Sequence, residues 1–125
     1  MGKLSAEEIT QNISNHVGSH GSGYRNFNGN QFIDFLTLND LYACNTVFQH
    51  KSRHITTRTG WIADKTKMQK SVPVFSQVDY ILCRTRSTRV LQDARSYGGS
   101  MVRSDHKIVL AKVDLRHPHL SHRQK

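Results

Sequence analysis

A carboxylate stands inside the most strand-like run of this chain, Val78-Asp79-Tyr80-Ile81-Leu82-Cys83. Branched and aromatic residues at that density suit a pleated, half-buried surface, so the run is predicted to be a strand. An unpaired buried carboxylate is expensive, and any acceptable fold must give Asp79 a partner. A guanidinium, Arg84 or Arg103, is one candidate. An imidazole is the other. Ser104-Asp105-His106 opens the alternating run Lys107-Ile108-Val109-Leu110-Ala111-Lys112-Val113, which predicts a last strand over 108–113. A carboxylate can hold a metal ion and a His can move a proton or grip a phosphate, so this acid–imidazole pair points to phosphodiester chemistry. The plainer readings are a strand-start cap for Asp105 and a satisfied, partly buried ring for His106.

The balance of charge agrees with a polyanionic partner. The 125 residues carry a formal net charge of +9, spread along the chain. That favours nucleic acid over a merely solvated basic surface. Arg58, Lys65 and Arg84 lie in the basic loops that would hold a phosphate backbone, together with Lys51, Arg53, Lys67, Arg86 and Arg89. With 36% hydrophobic residues the core is thin for one domain. Cys44 and Cys83 lack C-x-x-C spacing and read as reduced core thiols, which places the chain in a reducing intracellular compartment, nucleus or cytoplasm. No apolar run reaches membrane-spanning length and no signal peptide is evident, so no membrane partner is expected and the Asn12-Ile13-Ser14 sequon is idle.

Along the chain, residues 1–15 form a polar segment, with Ser5 as the cap of a short helix start. Gly18 to Gly29 reads as an irregular loop. A helix follows from Asn30, capped by Asn28 or Asn30, with Asp34 and Asp40 facing solvent. Leu41 to Phe48 is predicted to be a strand, His50 to Thr59 a loop or hairpin arm, and 64–71 a loop. Pro73 demotes its segment to a strand start. Arg84 to Arg89 is a basic turn, a strand lies near the end of 90–97, and Gly98-Gly99 turns. Residues 116–125 form a basic tail expected to be disordered. His16, His20, His50 and His54 lack the helical pairing or cysteine partners of a zinc site, and His117, His119 and His122 would bind transition metal only weakly. Gly18, Gly21 and Gly23 lack the Gly-Lys-Ser/Thr ending of a phosphate loop.

The order is specific: Val17-Gly18-Ser19-His20-Gly21-Ser22-Gly23, Asn26-x-Asn28-Gly29, a helix, Asn45-Thr46-x-Phe48, Trp61, Gln77 to Leu82, Asp93-x-Arg95-x-Tyr97-x-Gly99, then Ser104-Asp105-His106. Over residues 16–115 it resembles the C-terminal half of the endonuclease/exonuclease/phosphatase superfamily. The likeness is narrower to the endonuclease domains of non-LTR (LINE-type) retrotransposons and to craniofacial development protein 2-like sequences. The resemblance implies an α/β fold, the C-terminal portion of a four-layer α/β sandwich, with mixed or antiparallel sheet and flanking helices. It implies Mg²⁺-assisted phosphodiester hydrolysis, with Mn²⁺ as a substitute and DNA as the foremost partner. By the same resemblance His106 contacts the scissile phosphate and takes part in proton transfer, and Asp79 orients it. Asp105 belongs to the metal site, and Asn45 lies near the substrate groove. Trp61 would shape that groove or pack beneath it; the plainer readings are a core residue for Trp61 and a turn or strand-end residue for Asn45.

The chain departs from the pattern in two places. The superfamily's N-terminal half, with an early Asn and a metal-binding Glu, has no counterpart here. Its G-D-x-N motif should fall before Val17-Gly18, where the Asp is replaced by Asn12 and the Asn by Ser14. The expectation is therefore a truncated, retrotransposon-derived domain, weak or inactive alone. In a full-length parent, an N-terminal half-domain or a reverse transcriptase would accompany it. The alternatives are a non-cutting, basic nucleic-acid-binding module and a relic without function. A half-sandwich also leaves apolar sheet uncovered, so marginal stability is expected.

Overall fold

The structure, a computed structural model, describes residue 5 and residues 13–23, 25–64, 70–99 and 103–116. Asn12, Lys65, Lys67, most of the 1–15 segment and residues 117–125 of the tail lie outside the described residues. Among the described residues the architecture combines a 13-residue helix with antiparallel strands, consistent with an α/β class. The described strands pair antiparallel, within the mixed or antiparallel expectation, but as three separate two-stranded ladders.

Helix α1 spans Phe27–Asn39 and starts earlier than the sequence predicts. Asn26, not Asn28 or Asn30, is the cap: its Oδ1 accepts the Gly29 amide at 2.9 Å, which satisfies one of the first-turn donors. The helix ends at Asp40, whose φ of 52° is left-handed and whose N–H bonds back to Leu36 and Thr37. Asp40 is therefore a cap, not simply a solvent-facing acid, and its carboxylate accepts the Thr85 hydroxyl at 2.7 Å. The inward face is narrower than predicted. Leu36 is fully buried, Phe32 stacks on Tyr80, and Phe27, Phe35 and Leu38 are exposed.

Strand β1 is only Leu41–Ala43, shorter than the predicted 41–48, because Cys44–Thr46 turns into a 3-10 helix. The Thr46 hydroxyl donates to the Ala43 carbonyl at 2.7 Å and accepts the Gly18 amide at 2.8 Å, competing with a ladder. Gly18 is required for that approach: a Cβ there would sit 2.3 Å from the Thr46 carbonyl oxygen. Val17 bridges to Ala43, so the 13–18 segment runs beside β1.

Strands β2 (Arg58–Asp64) and β3 (Lys70–Ser76) form an antiparallel hairpin, with Arg58 opposite Ser76 and Trp61 opposite Pro73. The predicted 64–71 loop thus gives up both ends to strand. Pro73 is accommodated within β3 because a two-stranded ribbon is all edge. Strand β4 is Leu82–Arg84, paired with β1 and shorter than the predicted 78–83. Residues 85–90 make a 3-10 turn, and β5 (Leu91–Tyr97) pairs with β6 (Ile108–Val113), the strand predicted over the same residues.

The interior is unusually polar. Leu36, Ala43, Cys44 and Ala94 are its buried apolar residues among those described, against His16, Asn45, Thr46, Thr56, Thr57, Gln77 and Ser96. Such an interior holds only if each group is bonded. Ser96 donates to the Thr56 carbonyl at 2.6 Å, and His16 Nδ1 lies 2.8 Å from the Leu41 carbonyl. No buried side-chain nitrogen or oxygen among the described residues lacks a partner. Apolar residues meanwhile lie outside: Ile108 and Leu110 share one face of β6, and Trp61, Ile62, Val74 and Phe75 are exposed on the hairpin.

Candidate functional site

The site forms where the base of the hairpin meets the start of β6. Thr59 N–H donates to the Asp105 carbonyl at 2.9 Å, Lys107 N–H donates to the Thr57 carbonyl at 2.7 Å, and Arg58 bridges His106. These bonds lock Ser104–Lys107 against the beginning of β2. Ser104 Oγ accepts the His106 amide at 3.0 Å and fixes the turn before the strand.

Asp79 lies opposite, with its Oδ2 at 2.8 Å from His106 Nδ1. A carboxylate only accepts, so Nδ1 carries the proton and Nε2 is left to act as a base, or as a donor once the ring is protonated. The side chains are 44% and 40% exposed, so the pair is open to solvent and to a ligand. The carboxylate that the sequence could not leave unpaired has an imidazole, rather than Arg84 or Arg103, as its partner.

Asp79 does not sit in a ladder. The Thr57 hydroxyl, on a fully buried side chain, accepts both the Val78 and Asp79 amides at 2.9 and 3.1 Å. Asn45 donates from Nδ2 to the Asp79 carbonyl at 2.9 Å and accepts the Ile81 amide on Oδ1 at 3.1 Å. Gln77 donates to the Asn45 carbonyl and accepts the Ser22 amide, both at 3.1 Å. Asn45 is thus buried and spent on backbone; it positions Asp79 rather than facing a groove. Thr57 and Gln77 were not singled out for such a role from the sequence, and only Gln77, within the motif before Asp79, offered a signal. Burial, with the Asp79 carboxylate second, pushes the Tyr80 phenol above its ordinary value, and its hydroxyl donates to the Gln77 carbonyl at 2.9 Å.

The donor set does not fit a Mg²⁺ centre. Asp105 Oδ2 accepts Arg58 Nε at 3.2 Å, and its Oδ1 is 3.9 Å from His106 Nε2. Asp79 is committed to His106. Among the described residues no three His, Cys, Asp or Glu side chains converge, whereas a hard divalent cation wants about six oxygen ligands, carboxylate among them. Arg58 supplies the charge that balances Asp105 instead.

The other predicted contacts are dispersed. Trp61, 66% exposed and not in the core, lies three residues along β2 from Arg58, about 10 Å. Arg84 pairs with Leu41 at the far end of β4 and lines a separate cleft of about 470 Å³ with Asn39, Asp40, Leu41 and Arg86. Lys65 is outside the described residues.

A second imidazole–carboxylate pair joins the loop before β2 to β5. His50 Nε2 is 2.6 Å from Asp93 Oδ1, and Arg95 Nε donates to Asp93 Oδ2 at 2.7 Å. Burial opposes ionisation of Asp93, but the bonds from Arg95 and His50 outweigh it and hold its carboxyl below the ordinary value. The Asp93-x-Arg95 spacing carried this signal, since residues two apart share a strand face; the partner His50 did not show.

Two curated proteins are similar to this chain. Craniofacial development protein 2 of Tragulus javanicus is 34% identical over 116 residues, covering 93% of this chain and 19% of that protein. Craniofacial development protein 2 of Bos taurus is 33% identical over 116 residues, covering 93% and 18%. The chain is thus homologous to a segment of those proteins and spans about a fifth of their length. No family model matches it, and no solved structure matches it.

Proposed function

We propose that this chain is the phosphate-facing part of an endonuclease/exonuclease/phosphatase-type domain, a portion of a four-layer sandwich derived from a retrotransposon endonuclease. In this reading it engages the phosphodiester backbone of nucleic acid, DNA foremost, and does not cleave it unaided. The observation that carries the reading is the His106–Asp79 pair at 2.8 Å, half-exposed, with Nε2 left for a phosphate oxygen. Asp79 holds the ring proton on Nδ1, so Nε2 can accept a proton as a base and, once the ring is protonated, donate to a phosphoryl oxygen.

Cleavage needs more than this pair. An attacking water must be activated and charge on phosphorus offset, and here Asp105 is tied to Arg58 while Asn12 stands where the family pattern has an acid. The groups that would hold Mg²⁺ or Mn²⁺ belong, on this proposal, to chain outside these 125 residues, in a longer protein carrying an N-terminal half-domain or a reverse transcriptase. The exposed apolar face of β6, Ile108 and Leu110, supports such a covering half. An intracellular, reducing location fits the two free thiols.

The test has two parts. Supercoiled plasmid with Mg²⁺ or Mn²⁺ should remain intact, and robust nicking lost in His106→Ala would overturn the non-cutting reading. Duplex DNA should bind with an affinity that falls steeply with salt. No binding at low salt would sink the proposal.

A further inference from the structure

The same basic spacing occurs twice in this chain. Arg53-x-x-Thr56-x-Arg58 and Arg84-x-x-Ser87-x-Arg89 each set a hydroxyl residue three positions after one arginine and two before another. The fold treats the two differently. Thr56 is 5% exposed, and its hydroxyl donates to the Ser52 carbonyl at 3.2 Å and accepts Lys107 Nζ at 3.0 Å. Arg58 is held by Asp105. That copy is closed.

The second copy lies on the 3-10 turn Thr85–Val90, between β4 and β5. Three hydroxyls stand on it, and two are spent. Thr85 donates to Asp40 Oδ1 at 2.7 Å, and Thr88 donates to the Thr85 carbonyl at 2.9 Å. The Ser87 hydroxyl, on a part-exposed residue, makes no hydrogen bond among the described residues. Arg84, Arg86 and Arg89 flank it, all exposed and none ion-paired among the described residues, whereas Arg58, Arg95 and Arg116 each have a carboxylate. Arg84 and Arg86 also line the cleft at the end of α1. One free hydroxyl thus sits among three uncompensated guanidinium groups, which repel one another and attract an acidic partner.

We propose that Ser87 is a phosphorylation site for a serine/threonine kinase with an acidic, arginine-directed substrate groove, and that the phosphate discharges this basic turn. Carboxylates of such a groove would take Arg84 and Arg89 on either side of the acceptor. Ser87 Oγ attacks the γ-phosphorus of the nucleoside triphosphate that the kinase holds. The Oγ–P bond forms and the bond from that phosphorus to its bridging oxygen breaks. The nucleoside diphosphate leaves with the electron pair, and the hydroxyl proton passes to the kinase's catalytic carboxylate.

The modification changes what the turn can hold. A phosphoserine carries about −1.5 to −2 charges at pH 7 and three acceptor oxygens. Set against three guanidinium groups, it leaves the turn at about +1. The flanking arginines can then bond the phosphate of their own chain, and are withdrawn from any other anion. The modification itself needs no nucleic acid; its effect on DNA binding rests on the function proposed above.

The experiment incubates the full 125-residue chain with protein kinase C, an arginine-directed enzyme, ATP and Mg²⁺, and maps the phosphate by tandem mass spectrometry. The expected product carries one phosphoryl group, on Ser87. Peptides 50–60 and 81–92 should both be accepted, since each presents the spacing without the fold. In the native chain Ser87→Ala should abolish incorporation. Arg84→Gln should slow it about tenfold, the worth of one charge-assisted contact with the kinase. The phosphorylated chain should bind duplex DNA with a salt slope lower by about two ions. Ser87 left bare, phosphate on Thr56 of the folded chain, or an unchanged rate in Arg84→Gln would each overturn the site. An unchanged slope in a chain that does bind DNA would overturn the discharge. Absence of DNA binding in both forms would sink the nucleic-acid reading instead, while the mapped phosphate decides this one.

Discussion

Thr57→Val removes a single hydroxyl and keeps the shape of a fully buried side chain. That hydroxyl accepts the amides of Val78 and Asp79 at 2.9 and 3.1 Å. Valine would leave both donors without it. An unsatisfied buried donor costs about 1–3 kcal/mol, and these two bonds are only part-buried, so about 1–1.5 kcal/mol each is the fair figure. The sum, about 2–3 kcal/mol, corresponds to a fall in Tm of roughly 8–12 °C in a domain this small. Thr57→Ser keeps the hydroxyl and loses one methyl, a cost of about 1 kcal/mol. Urea titrations of the three proteins give the energies, and the His106 ring resonances report the pairing with Asp79. Valine should cost at least twice as much as serine and should move those resonances, whereas serine should not. A valine variant no less stable than the serine one, with His106 unchanged, would refute the claim that Thr57 positions Asp79.

Three further outcomes are expected. Asp93 has a lowered folded pKa, so its contribution to stability is present above the unfolded carboxyl value of about 3.9 and is lost as pH falls through the lower folded value; Asp93→Asn should flatten that acid limb in urea titrations between pH 2 and 6. Leu36→Ala truncates the fully buried side chain of α1 and should cost about 2–4 kcal/mol by the same titrations, a large share of what a core this small supplies. Arg58→Gln should change stability by under about 1 kcal/mol, because its pair with Asp105 is exposed, yet should reduce the salt slope of DNA binding by about one ion; an unchanged slope would remove Arg58 from the contact surface.

What the sequence made legible followed from local pattern. Strand β6 was read over its full extent because nothing in 108–113 competes with the ladder. That Asp79 has a partner was readable too, but not for the reason of burial, because the side chain is 40% exposed. The misreadings cluster where side chains displace backbone partners. Strand β1 stops early because Thr46 and Asn45 take over its hydrogen bonds, and β4 starts late because Thr57 and Asn45 hold the amides of Val78, Asp79 and Ile81. Apart from the local Thr46–Ala43 bond, those contacts join residues 21 to 36 positions apart, beyond any periodicity. The helix begins early for a simpler reason: Asn28 and Asn30 read as the caps, whereas the fold uses Asn26, a third asparagine within the same five residues. Strand β3 was hidden by its lysine-rich approach and by Pro73, which an edge strand tolerates.

The location of Asp79 is written in three polar side chains, Asn45, Thr57 and Gln77, instead of in a sheet. A ladder is forgiving, because many sequences spell the same strand. Three specific amide and hydroxyl groups are not. Lineages of this segment that drift without selection on the site should therefore lose the geometry of the acid and its imidazole well before they lose the capacity to fold. Retention of that trio alongside His106 in a diverged copy would mark a site still under selection.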